Sequence, residues 1–212
     1  MLNKIFDMDN VVFRFFKIFG YVWWLHILWL VTSIPVITIG ASTTALCYSC
    51  MKLREKDENV TKNFFHSFSE NFKQSTVIFL IMLLLGVVLV FDIIACSQLN
   101  SVLGYMVKCC ALALMIPYCM VLFYVFALQA KFVNSVKNTF RNAILVALKN
   151  IGYTMCIFMI VATVIILNTT IVLANFVTIA MGEGIVMYAL SAYYNKIFDK
   201  IILEERKNAC AE

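Results

Sequence analysis

The residue best placed to do chemistry is Glu183, in "AMGEGIVM", with Gly182 and Gly184 on either side. A carboxylate inside an apolar run is costly unless it is paired. By helical rise it lies about 20 Å from Lys196, well inside a bilayer. A proton- or cation-coupled site would use such a group, and the glycines leave room for a helix or water. The plainer reading is that the last span starts later and leaves "GEG" nearer the outer surface. Asp92 and Lys108 are equidistant from Asn100. An antiparallel hairpin would place them at similar depth near the outer headgroups, where an ion pair or separate hydration explains both. Pro35 and Gly40, in "SIPVITIGAS", are the third candidate. Proline lacks an amide proton and glycine permits non-helical backbone. Broken backbone at membrane depth is tolerated where it is buried in protein or lines a wet cavity.

Other site chemistries are missing from the sequence. There is no phosphate-binding glycine loop, no H-E-x-x-H and no nucleophile elbow. Two histidines make a His-based metal site implausible. Cys47 and Cys50 form a lone C-x-x-C without a second pair, and packing explains them better than zinc or redox work. Cys96, Cys109, Cys110, Cys119 and Cys156 sit in apolar runs, where cysteine behaves as a small hydrophobe. No catalytic, cofactor-binding or metal-binding residue is expected, and the chain reads as a non-enzyme.

These residues must be positioned by membrane helices. The chain is 63% hydrophobic and 14% charged, with mean hydropathy +0.90. Soluble domains average about 25% charged residues, so lipid must solvate most of this one. The expected fold is all-α and polytopic, a single domain with about five transmembrane helices. Spans fall near 20–45, 76–96, 102–128, 151–167 and 171–194, with loops at 46–75 and 129–150. "SQLNS" (97–101) and "NTT" (168–170) form short turns, and Asn175 is another possible turn residue. No cleavable signal peptide is visible.

Lys52, Arg54, Lys56, Lys62 and Lys73 follow the first span, and Lys131, Lys137, Arg141 and Lys149 follow the third. Lys196, Lys200, Arg206 and Lys207 follow the last. The turns at 97–101 and 168–170 carry none. Basic residues mark the cytoplasmic side, so the long loops and the C-terminus are expected there, and the net charge of +5 needs no nucleic acid. Both loops carry amphipathic helices. Phe64, Phe65, Phe68 and Phe72 share one face of the first, and Phe132, Val136, Phe140, Ile144 and Leu148 recur every four residues in the second. Such faces rest on the membrane or against a partner.

The N-terminal segment has two readings. A single crossing kinked at Pro35 is the simpler, because membrane helices with one proline are common. It leaves Lys4, Arg14 and Lys17 on the disfavoured side. A segment that dips in and returns at "SIPVITIGAS" satisfies the charge rule throughout.

"LWLVTSIPVITIGASTTALCYSCMKL" (28–53) resembles the signature of the YesL family of bacterial membrane proteins, in which a span ends in a P-V-x-T-I-G turn before a small, hydroxyl-bearing segment and a basic patch. "FFHSFSENFKQSTVIFLI" (64–81), "FVNSVKNTFRNAILVAL" (132–148) and "YYNKIF" (193–198) are similar to later blocks of that family. Ala41 stands where the family often has proline. The resemblance implies association with carbohydrate-utilisation systems and sugar ABC importers, and supplies no ligand residues to carry over. The function expected from it is that of an accessory to carbohydrate uptake in the bacterial cytoplasmic membrane, contacting an importer permease through Phe64, Phe68, Phe72 and Phe140 and the small-residue segment 40–45. The alternative is a self-contained transporter or channel using the broken first helix and Glu183.

Overall fold

The computed structural model describes residues 11–98 and 102–209. Among them there is no strand. The helices are α1 (Val11–Thr32), α2 (Ile39–Arg54), α3 (Val60–Ser97), α4 (Val102–Lys131), α5 (Val136–Lys149), α6 (Ile151–Thr170), α7 (Val172–Val177) and α8 (Glu183–Ala209). A 3₁₀ turn, Val36–Thr38, precedes α2, and a π-helical turn, Thr178–Gly182, joins α7 to α8. Six stretches are long and apolar enough to cross a bilayer: Phe13–Thr32, Val36–Arg54, Val60–Ser97, Val102–Lys131, Ile151–Thr170 and Ala174–Glu204.

The sixth arises because the segment drawn as one span at 20–45 is two antiparallel helices. Lys17, near the start of α1, pairs with Glu58, just beyond α2, at 2.6 Å. Trp24 donates to the Thr61 hydroxyl at 2.9 Å, and Trp29 to that of Thr43 at 3.2 Å. The start of α1 and the end of α2 therefore share one end of the bundle, and the single crossing is overturned. Lys4 lies outside the described residues.

The hydroxyls of "TSIPVIT" make this turn possible. A helix end leaves carbonyls without partners. Here the Thr32 hydroxyl donates to the Leu28 carbonyl at 2.8 Å, and that of Thr38 faces the carbonyls of Thr32 (2.5 Å) and Pro35 (2.6 Å). Pro35 itself is extended, at φ −75° and ψ 113°.

Gly40 is helical, which corrects the expectation that it helps to break the chain. Its role is close approach: a Cβ there would lie 2.3 Å from the Ser75 carbonyl oxygen and 2.6 Å from the Phe79 Cβ. Small residues let helices pack tightly in lipid. Ala41, Ser42, Thr44 and Ala45 are likewise buried, and the Thr44 and Ser75 hydroxyls bond at 2.9 Å. Segment 40–45 is thus mainly an internal seam rather than an outer surface for a permease, with Thr43 alone of the six half-buried.

At 38 residues α3 is about 57 Å long, well beyond a bilayer's hydrocarbon thickness. The surface helix and the span expected in succession are one continuous rod. Its lower half packs on α2. Its upper half exposes Leu83, Leu84, Val87, Val88 and Phe91, side chains that lipid covers. α4 runs antiparallel to it: the Tyr118 hydroxyl donates to the Met82 carbonyl at 3.0 Å, and Gln129 reaches Asn71 and Gln74. α5 packs back on the bundle through Thr139, Ala143, Val146 and Ala147, leaving Ile144 and Leu148 exposed.

α6 ends at Thr170, and Ile171 is extended before α7. Both expected turn residues act here: Asn175 donates to the Asn168 carbonyl and Thr178 to the Asn168 side-chain oxygen, each at 2.9 Å. The turn expected at 97–101 has Ser97 and Gln98 at the end of α3; residues 99–101 lie outside the described residues.

Candidate functional site

A cavity of about 500 Å³ opens where α1, α2, α3, α4, α6 and α8 converge. Its walls include Trp29, Thr43, Phe79, Phe123, Phe126, Asn168, Thr178 and Tyr194, and Glu183 lines it from the first turn of α8. Two irregular stretches of backbone flank it: Ile39 follows the 3₁₀ turn, and Gly182 ends the π-helical turn. Single π turns inside α-helices are frequent at functional sites.

The walls are fixed by their own bonds. Trp29 is tied to Thr43, the Tyr194 hydroxyl donates to the Phe123 carbonyl at 2.7 Å, and that of Thr178 to Asn168. Glu183 is exposed and makes no hydrogen bond or ion pair. Among the described residues, no lysine or arginine lines the cavity.

His26 holds the Glu183 region in place. It is 1% exposed. Its Nε2 lies 3.0 Å from the Ile179 carbonyl in the π turn, and its Nδ1 accepts a long 3.4 Å contact from the Gly184 N–H. One acceptor and one donor facing the two nitrogens suit the neutral ring protonated on Nε2. Gly184 allows α1 this close, since a Cβ there would lie 2.7 Å from the Val22 carbonyl oxygen. A sequence signal existed: His26 shares a helical face with Val22, Leu25 and Trp29, and it stacks on Trp29 at 5.9 Å.

Arg54 is the other functional group that the sequence hid. It looked like one more member of a basic loop. Its Nε donates to the Tyr188 carbonyl (3.0 Å) and the Ser191 hydroxyl (2.7 Å), and its guanidinium sits 4.1 Å from the Tyr188 ring centroid. Nothing in the sequence separated it from Lys52. Beside it, Glu55 bridges Lys52 (2.8 Å) and Lys131 (2.9 Å). Burial alone would raise the Glu55 carboxyl, but hydrogen bonds from the two lysines outweigh it and hold it below its usual range. Asn63 and the Asn59 backbone hold Asp57 down, and Lys17 does the same for Glu58.

The remaining candidates are dispersed. Asp92 and Lys108 form no ion pair with each other and stay half-buried on the α3–α4 hairpin, remote from the cavity lining. Pro35 is exposed at the hairpin turn. Phe64 is fully buried against Val22, Leu46 and Leu53, so it offers no surface to a partner. Phe68 and Phe140 are half-buried, and Phe72 is exposed. Cys47 and Cys50 are free and buried, and no cluster of metal-ligating side chains occurs among the described residues.

The helices and their apolar outer surface define an all-α, multi-pass membrane protein. A family model described as "Protein of unknown function, DUF624" matches residues 22–93, which cover the second half of α1, all of α2 and most of α3. No curated protein and no solved structure matches the chain.

Proposed function

We propose that this protein is a YesL-type, non-enzymatic membrane protein of the bacterial cytoplasmic membrane, accessory to carbohydrate uptake through contact with the permease of a sugar ABC importer. Two things support the family reading: the blocks that resemble YesL most, 28–53 and 64–81, lie within the matched stretch 22–93, and they build one structural unit, the hairpin packed on α3. The positive-inside rule puts the basic end and the C-terminus in the cytoplasm.

The observation that carries the partner reading is an open groove of about 770 Å³ at that end, lined by Phe68, Phe72 and Val133, with Glu70 and Lys73 at its edge. Exposed apolar side chains such as Phe72 and Val133, with charge beside them, are the usual anatomy of a docking surface. Purification in mild detergent from the native host, grown on several carbon sources, tests it. A stoichiometric permease that is lost on Phe72→Ala supports the proposal; a permease retained in the variant, or none on any carbon source, contradicts it.

The cavity at Glu183 favours a second reading, in which the protein itself moves solute. Flux into liposomes by the purified protein, abolished by Glu183→Gln, would support it.

A further inference from the structure

The cavity has a chemical bias of its own, independent of any importer. Most of the hydrogen-bond donors on its wall are engaged within the protein: the Trp29 indole N–H, the Tyr194 hydroxyl and the Thr178 hydroxyl. Among the described residues, the Asn168 amide and the Thr43 hydroxyl proton stay free to donate, beside the weakly donating Cys47 thiol. A sugar needs a fan of donors and acceptors, and an anion needs donors or positive charge. This wall offers a carboxylate that no hydrogen bond or ion pair engages and the aromatic rings of Trp29, Phe79, Phe123 and Phe126. Carboxylate and π faces both attract a cation, and aromatic walls select organic ammonium ions over hydrated metal ions. Roughly 500 Å³ lies within the range of about 300–1,000 Å³ that small-molecule sites occupy.

We propose that the cavity between the α1–α2 hairpin and α8 is a binding site for a small organic ammonium ion, with Glu183 as its counter-charge and Trp29 as part of its aromatic wall. The two irregular backbone stretches keep the site open: a straight α1–α2 segment would remove the turn before Ile39, and a regular α7–α8 join would rotate Glu183 away from the wall.

The test is calorimetric titration of the purified full-length protein, in a non-ionic detergent free of amine lipids, with choline and with tetramethylammonium. Saturable binding of both is expected, weakened at least about tenfold by Glu183→Gln, a loss of about 1.4 kcal/mol. Asp92→Asn, remote from the cavity, should bind like the wild type. Glu183→Asp keeps the charge and should retain binding if Glu183→Gln proves unstable. Glucose should give no heat. An ammonium ion can also arrive on a lipid headgroup, so the titration is repeated with phosphatidylethanolamine added. Competition makes the headgroup the occupant, and its absence makes the free solute the occupant; both keep the ammonium site. No choline binding at millimolar concentrations, equal binding in Glu183→Gln, or glucose binding that survives it would overturn the proposal.

Discussion

Gly40→Ala probes the seam between α2 and α3 with one added methyl group. The new Cβ would lie 2.3 Å from the Ser75 carbonyl oxygen and 2.6 Å from the Phe79 Cβ, where ordinary contact begins near 3.4 Å. Two of the three nearest atoms belong to the Ser75 backbone, so no rotamer change relieves the clash. The helices must part by roughly 1 Å, which a close-packed interior resists. That shift takes the 2.9 Å Thr44–Ser75 hydrogen bond out of range and strands the buried Ser75 hydroxyl, while Thr44 keeps its bond to the Gly40 carbonyl. Overpacking costs about 1–3 kcal/mol and the lost bond about 1 kcal/mol more, so the expected destabilisation is about 2–4 kcal/mol. Thermal unfolding in detergent should then show Tm lower by on the order of 10 °C. Gly152→Ala is the matched control: nothing lies within 4 Å of its added Cβ, and alanine in a helix should raise stability by about 0.5–1 kcal/mol. Equal Tm values for the two variants would refute the seam.

Other outcomes follow from the same contacts. Gly184→Ala forces a Cβ to 2.7 Å from the Val22 carbonyl oxygen; it should part α1 from α8 and lower Tm, and the fluorescence of Trp29, stacked on His26, reports the shift. Arg54→Lys keeps the charge but loses the planar fork on Tyr188 and Ser191; a loss of about 1–3 kcal/mol is expected by thermal unfolding. The Glu55, Asp57 and Glu58 carboxyls are held below their usual range. Their stabilisation is therefore complete above the unfolded carboxylate pKa of about 4 and is lost as pH falls through the lower folded values. Tm should stay flat from pH 7 to 5 and fall below pH 4, less steeply in Glu55→Gln.

Composition and charge alternation made the helical class, the hairpins and the basic end legible, because lipid imposes long apolar runs that need no tertiary information. The first segment was legible only as two alternatives, a single crossing or a turn back at "SIPVITIGAS". Pro35 marked the break, but the decision to turn back rests on contacts 41 residues apart in sequence, such as Lys17 with Glu58. Gly40 shows the same limit, since a helical glycine packed on Ser75 and a flexible glycine look alike in one dimension. Periodicity found the aromatic face of α3 but could not tell that Phe64 points into the hairpin while Phe72 points out. Glu183 was visible from the cost of its charge. Trp29, which shares its cavity, comes from a helix more than 150 residues away, and no local pattern joined the two.

The turn-back at Pro35 underlies the cavity, the seam and the placement of the groove, and side-selective cysteine labelling tests it most directly. In a background with Cys96, Cys109, Cys110, Cys119, Cys156 and Cys210 replaced, Lys17→Cys and Glu58→Cys are each exposed to a membrane-impermeant maleimide in oriented vesicles. The account predicts that both label from the same side of the membrane, since those side chains meet at 2.6 Å. Labelling from opposite sides would contradict it and restore a single crossing.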